Sequence, residues 1–297
     1  MSVSETKVAL VTGGNSGIGK QTAVGLLKKG YRVVITSRNP EAGAEALAEI
    51  KQLAGRDDAT CERLDLSNFS SIHDCAEVML SRHPKLQLLV NNAGLMLSER
   101  RETSEGFEMT FGVNHLGHFL LTSLLLDRLI ECGPSRIVNL SSDAHKGAGK
   151  GLEWDDLQSN NGYSAMGVYC RSKLANIYFT RELVRRYADK GISSFAVHPG
   201  VVRTGFARNG DVKGFMGTMI GLFRPFMINE EKGARTSLHC ATAPLSDLDN
   251  GGYYAKSRAA QATAIALDDD AALRLWEVSE RLVADAESSR ATRADGD

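Results

Sequence analysis

Residues 8–19 read VALVTGGNSGIG, Val8 to Gly19, and the parsing of this stretch decides the fold. Val8 to Val11 is an apolar, β-branched run of strand character, Thr12 to Gly19 is a glycine-rich turn, and helical apolar spacing begins near Lys20. A turn of this kind, between a strand and a helix N-terminus, brings backbone N–H groups toward an anion where the helix dipole favours negative charge. Gly13, Asn15, Ser16, Gly17, Ile18 and Gly19 then form the candidate cradle for a pyrophosphate. The glycines stand at 13, 17 and 19 instead of in G-x-G-x-x-G, and they suit a plain tight turn with positive φ equally well.

Further apolar runs follow at 32–36, 60–64, 86–90, 136–140, 192–197 and, briefly, 252–255. Segments of helical spacing lie between them at 20–29, 40–54, 72–82, 117–131 and 169–189. Strand and helix signals in alternation predict a central parallel sheet of about seven strands with helices on both faces, an α/β, doubly wound design. No repeat or Pro/Ser-rich linker divides the chain, so residues 1–285 read as a single domain. Residues 206–228 are rich in Met, Phe and Gly without a clean period, and a flap over a pocket is expected at about 205–230. The tail, 286–297, is polar and is expected to be poorly ordered.

The chain has 297 residues, 42% hydrophobic and 24% charged, the profile of a globular protein with a sizeable core. Thirty-five basic against thirty-six acidic residues leave a net charge of −1, which lacks the positive field that nucleic-acid binding requires. Five widely spaced cysteines without a Cys-x-x-Cys pair read as reduced thiols, and no window shows the ~18 uninterrupted apolar residues of a membrane span. The expectation is a cytoplasmic protein with no transmembrane segment, no metal and no nucleic-acid partner. His115 and His118 lie three apart, but neither carboxylate nor thiol joins them at ligand spacing.

Beyond the turn, the end of the second strand carries Ser37 and Arg38 where an acidic residue would bond a ribose 2′-hydroxyl. An arginine there suits a 2′-phosphate, each charge-assisted bond contributing roughly 1.5–3 kcal/mol, or it is simply a solvated loop residue. Tyr169 and Lys173 lie four apart on one helical face. A lysine cation beside a tyrosine favours the phenolate and would make the phenol a better proton shuttle, although Tyr-x-x-x-Lys also occurs on helices by chance.

Taken together, TGGNSGIG, NNAG (Asn91 to Gly94), VNHLGHF (Val113 to Phe119), IVNLSS (Ile137 to Ser142), YCRSK and HPGVVRT (His198 to Thr204) resemble the short-chain dehydrogenase/reductase family in order and spacing. YCRSKLANIYFTREL, EEKGARTSLHCA and LWEVSERL resemble its retinol dehydrogenase branch. The resemblance implies a Rossmann-type domain and an NADP(H)-dependent oxidoreductase. It makes Tyr169 the general acid/base and Lys173 its electrostatic partner and ribose ligand. Ser142 becomes the substrate-polarising hydroxyl, with Ser141 as the rival, and Asn114 the holder of a water relay. Asp65 and Leu66 would stand beside the adenine, and Asn91, Ala93 and Gly94 would line adenosine and sheet. Pro199, Gly200, Val202 and Thr204 would hold the nicotinamide end. The animal members of that branch usually carry an apolar N-terminal anchor, and the opening residues here show none.

The apolar segment after Thr204 favours a small-molecule partner that is hydrophobic, a bulky carbonyl compound or alcohol. The same segment could instead pack inward, on a second subunit or on a membrane. His145 and Lys146 are expected either at the rim of the substrate mouth or in solvent, and Trp276 on the apolar face of a closing helix. The faces of 117–131 and 169–189 leave a homo-oligomer open. A catalytically silent NADP-binding sensor is the alternative reading, disfavoured because all four proton-transfer residues are present.

Overall fold

A computed structural model describes residues 6–200 and 229–294 of the chain. Its strands are β1 (Val8–Val11), β2 (Arg32–Ser37), β3 (Ala59–Arg63), β4 (Leu88–Asn91), β5 (Ser135–Leu140), β6 (Ile192–His198), β7 (Tyr253–Ala255) and β8 (Arg258–Ala259). They form one sheet in the order β3-β2-β1-β4-β5-β6-β7-β8, parallel except for the last pair. The first seven match the runs read from the sequence. β8 leaves no pattern there: it is two exposed residues, reached through Lys256 and Ser257. Both have positive φ, which hairpins normally mark with Asn-Gly or Asp-Gly.

The helices are α1 (Gly17–Lys28), α2 (Pro40–Ala54), α3 (Phe69–Arg82), α4 (Met109–Phe111), α5 (Gly117–Glu131), α6 (Ala165–Tyr187), α7 (Glu230–Thr242) and α8 (Asp269–Ala294). Side chains alternate across each strand, so Val8 and Leu10 join one core with α3, α5, α6 and α8, while Ala9 and Val11 join another with α1, α2 and α7. Burial on both faces explains why the strands read as unbroken apolar runs. α2 shows the local rules plainly, with Asn39 capping the Ala42 N–H, Pro40 in the first turn and Gly55 in the left-handed conformation at its end.

One expectation changes. The polar tail does not leave the fold at Ala286, because α8 continues to Ala294. Its alanines, glutamate and arginines are good helix formers, Ser288 and Ser289 bond back to Ala284 and Asp285, and Glu287 meets His73. The faces of α5 and α6 are met within the chain: Trp276 of α8 lies 5.0 Å from the Phe119 ring and stacks on Phe179. The run Met109–Glu131 is long and apolar enough to cross a bilayer by length and composition, and 78% of its most apolar window is buried inside the protein. The proposed flap, with Val202 and Thr204, lies outside the described residues.

Candidate active site

The chain builds β1, β2 and β3 outward in one direction and then returns to β4 on the other side of β1. The reversal opens a crevice beyond the carboxyl ends of β1 and β4, the place where such sheets take ligands. The turn after β1 lies there. Gly13 has φ +62°, and a Cβ on Gly19 would fall 2.4 Å from both Asn92 Nδ2 and the Gly13 carbonyl, so neither position admits another residue without displacement. The N-cap Ser16 makes no side-chain capping bond and the first turn of α1 holds no acidic residue. Its first N–H groups and the positive end of the helix dipole thus have no competing side chain, which fits a pyrophosphate.

Thr12 pins this turn from below. Its hydroxyl accepts the N–H groups of Asn92 and Ala93, at 2.9 and 3.0 Å, and meets His118 Nε2 at 2.9 Å. His118 Nδ1 faces the Asn114 carbonyl, which can only accept, so Nδ1 carries the hydrogen and Nε2 accepts from Thr12. Burial holds His118 neutral, down at about 3. Asn92 donates to the Thr12 carbonyl at 2.8 Å. Thr12, Asn92 and His118 are missing from the set inferred by resemblance, although NNAG and VNHLGHF contain two of them. Asn91, which is in that set, turns into the sheet and donates to Thr122 and Asn139.

At the end of β2 the Ser37 hydroxyl donates to the Asn39 carbonyl, 2.7 Å away. Arg38 is exposed and makes no ion pair among the described residues. Asp65 accepts from the N–H and hydroxyl of Ser67, and Leu66 is buried beside it. Ala93 and Gly94 continue from β4 toward Lys173: a Cβ on Gly94 would sit 3.4 Å from Lys173 Nζ and 3.1 Å from Asn114 Oδ1.

Asn114 falls in a π-helical segment, Gly112–Leu116, that leads into α5. Its carboxamide is fully engaged, accepting from Leu95 N–H and donating to Leu95 O and Ser172 Oγ. The two serines have different partners. Ser141 is buried and donates to the backbone carbonyl of Lys173 at 2.7 Å, whereas Ser142 shares a hydrogen bond with the Tyr169 hydroxyl. Ser142 Oγ also accepts the Ala144 N–H at 3.1 Å.

Lys173, 4% exposed, donates to the Leu140 carbonyl at 3.1 Å, its one hydrogen bond among the described residues, and lies 5.4 Å from the Tyr169 ring centre. Burial lowers its ammonium to about 8 and pushes the Tyr169 phenol up to about 12. The expected depression of the tyrosine by the lysine is therefore not met in this site. Desolvation outweighs the Ser142 hydrogen bond, which lowers the phenol, and Tyr169 is protonated at neutral pH. Pro199 and Gly200, the latter at φ +92°, follow β6 directly. His115 is turned away to Ser279, and among the described residues no group of His, Cys, Asp and Glu is placed to hold a metal.

A glycine-rich turn at a helix N-terminus, a buried lysine and a paired serine and tyrosine on this sheet have the make-up of a nicotinamide-dependent oxidoreductase. Residues 7–154 match the family model described as short chain dehydrogenase. The chain is 43% identical to retinol dehydrogenase 11 of Homo sapiens over 92% of its own length and 84% of that protein. It is 44% identical to retinol dehydrogenase 12 of Mus musculus, over 92% and 85%. Among solved structures it superposes on an uncharacterized protein from Mycobacterium Paratuberculosis with a TM-score of 0.73, at 31% identity, covering 93% and 92% of the two chains. A short chain dehydrogenase/reductase family protein gives 0.65 at 27% identity, covering 86% and 97%. The chain belongs to the short-chain dehydrogenase family. Within it, the chain is retinol dehydrogenase-like.

Proposed function

We propose that the protein is an NADP(H)-dependent reductase of bulky apolar aldehydes or ketones, working reversibly on the matching alcohols. The observation that carries the cofactor choice is Arg38, exposed and without an ion pair among the described residues just after β2, where Ser37 stands in place of the acidic residue that would bond a ribose 2′-hydroxyl. For the substrate, support comes from relatives named retinol dehydrogenases and from the apolar composition after Thr204. Five free cysteines support a reducing, cytoplasmic setting.

The bound nicotinamide would supply the hydride, held by the turn after β1, by Lys173 through ribose hydroxyls, and by Pro199 and Gly200. The chain's own groups do the rest. Ser142 donates to the carbonyl oxygen and stabilises the charge that develops there. Tyr169, kept protonated by burial, delivers its proton to the same oxygen as the alkoxide forms. Lys173 places a cation beside the phenolate left behind. The test is absorbance at the reduced-nicotinamide band with NADPH and a panel of aldehydes. Steady loss supports the reading, and tight NADPH binding without loss on any aldehyde would return the silent sensor.

A further inference from the structure

The peptide that follows Ser142 is gripped at both ends by imidazoles. Its carbonyl oxygen, on Ser142, meets His145 Nδ1 at 2.7 Å, and its N–H, on Asp143, meets His198 Nδ1 at 3.1 Å. A carbonyl only accepts and an amide N–H only donates, so Nδ1 carries a hydrogen in His145 and none in His198. The second nitrogens complete the assignment. His145 Nε2 accepts the Thr263 N–H at 3.3 Å, and His198 Nε2 turns its hydrogen toward the Asp143 carboxylate at 3.5 Å. Both rings are neutral, in opposite tautomers, with three of the four nitrogens hydrogen-bonded and His198 Nε2 within ion-pair range of Asp143.

We propose that His145 and His198 are positioning residues, a pair of neutral imidazoles that fix the Ser142–Asp143 peptide and thereby aim the Ser142 hydroxyl. This rests on the reading of Ser142 as the carbonyl-polarising group. His198 is followed directly by Pro199 and Gly200, so the same contact ties the serine to the turn that would hold the nicotinamide. An aim error of about 1 Å at such a group costs on the order of 100-fold in rate, so a tether at this peptide has leverage.

The clamp is sensitive to protonation. A second proton on His198 would sit on Nδ1 against the Asp143 N–H, and one on His145 would sit on Nε2 against the Thr263 N–H. His198 is faced by Asp143, Lys146, His145 and Lys256. His145 is faced by Asp143 and Lys146, and packs edge-on against Tyr253, whose hydroxyl bonds Asp143. Burial is the largest influence on both and holds them below the ordinary histidine range. The folded state therefore favours the neutral rings, and the clamp is whole at neutral pH and is released only at a pH under the ordinary histidine value of about 6.5.

His198→Asn and His198→Ala separate this role from simple packing, because the Asn side-chain oxygen can accept the Asp143 N–H and does not ionise. With NADPH and decanal at about pH 7.5, His198→Ala should lower kcat about tenfold, while His198→Asn keeps more than about a third of it. NADPH affinity should stay within about twofold in both, and the Asn variant should lose less activity than the parent on acidification. An Asn variant no better than Ala, or a loss confined to KM or cofactor affinity, would overturn the clamp. Nitrogen-15 spectra of the ring nitrogens in cofactor-free protein decide the matter without turnover. Opposite neutral tautomers are expected, and a shared tautomer or a charged ring at that pH would refute them. A parent that consumes no NADPH would defeat the reductase reading and leave this second measurement standing.

Discussion

The hydroxyl of Ser141 donates to the backbone carbonyl of Lys173 at 2.7 Å, which locks the end of β5 to the middle of α6. Because successive residues of an extended segment face opposite ways, fixing Ser141 toward the helix backbone leaves Ser142 to meet Tyr169. One serine holds the frame and its neighbour faces the crevice.

The two serines should accordingly separate stability from turnover. Ser141→Ala leaves the pairing at a buried carbonyl unmade and should cost about 1 kcal/mol, visible in thermal unfolding. Ser142→Ala, which gives up the half-buried Ala144 N–H bond, should lower the melting temperature no more than Ser141→Ala does and cut kcat by about 100-fold, which Ser141→Ala should not. The reverse pattern would exchange their roles.

Tyr169→Phe keeps the ring and removes only the hydroxyl. Turnover should fall at least about 100-fold while NADPH affinity, measured by fluorescence titration, stays close to the parent value. Activity within about tenfold of the parent would remove Tyr169 from proton transfer.

Lys173 is a buried cation whose ammonium lies at about 8, below its ordinary value near 10.4. The folded state therefore binds its proton less tightly than the unfolded state does, and the charge destabilises the fold at neutral pH. Lys173→Met should abolish turnover and raise the melting temperature of the cofactor-free protein by a few degrees, on the order of 2–4 °C per kcal/mol recovered. The gain should shrink as pH rises from about 8 toward 10.4, where both states become neutral. A lower melting temperature at neutral pH would show that the Leu140 bond outweighs the desolvation.

Much of this architecture was legible in the sequence because β-branched runs buried on two faces leave continuous apolar signals, as at Val8–Val11 and Ile192–His198. The turn after β1 was legible for a local reason, since its glycines serve backbone geometry. The clamp on Ser142 was not: His145 and His198 stand 53 positions apart, and their tautomers are set by Thr263, Asp143 and Ser142 only once the sheet is assembled. Asn91 and Asn92 are adjacent and chemically identical, so no pattern could say that the first serves the sheet and the second pins the turn. The last turns of α8 were hidden by their polarity, since a solvent-facing helix end has little apolar periodicity to display.

Arg38→Ala should weaken NADPH by about tenfold or more and leave NADH nearly unchanged, because only the phosphorylated cofactor offers the arginine a charge-assisted partner. Equal losses for both would make Arg38 structural.

The central claim is tested most directly by following NADPH consumption with the parent protein along a homologous series of straight-chain aldehydes. Each added methylene that reaches apolar surface contributes ~0.8 kcal/mol, so kcat/KM should climb by up to several-fold per carbon until the pocket is filled, with NADPH favoured over NADH throughout. A flat series, or no consumption with any member while NADPH still binds, would contradict it.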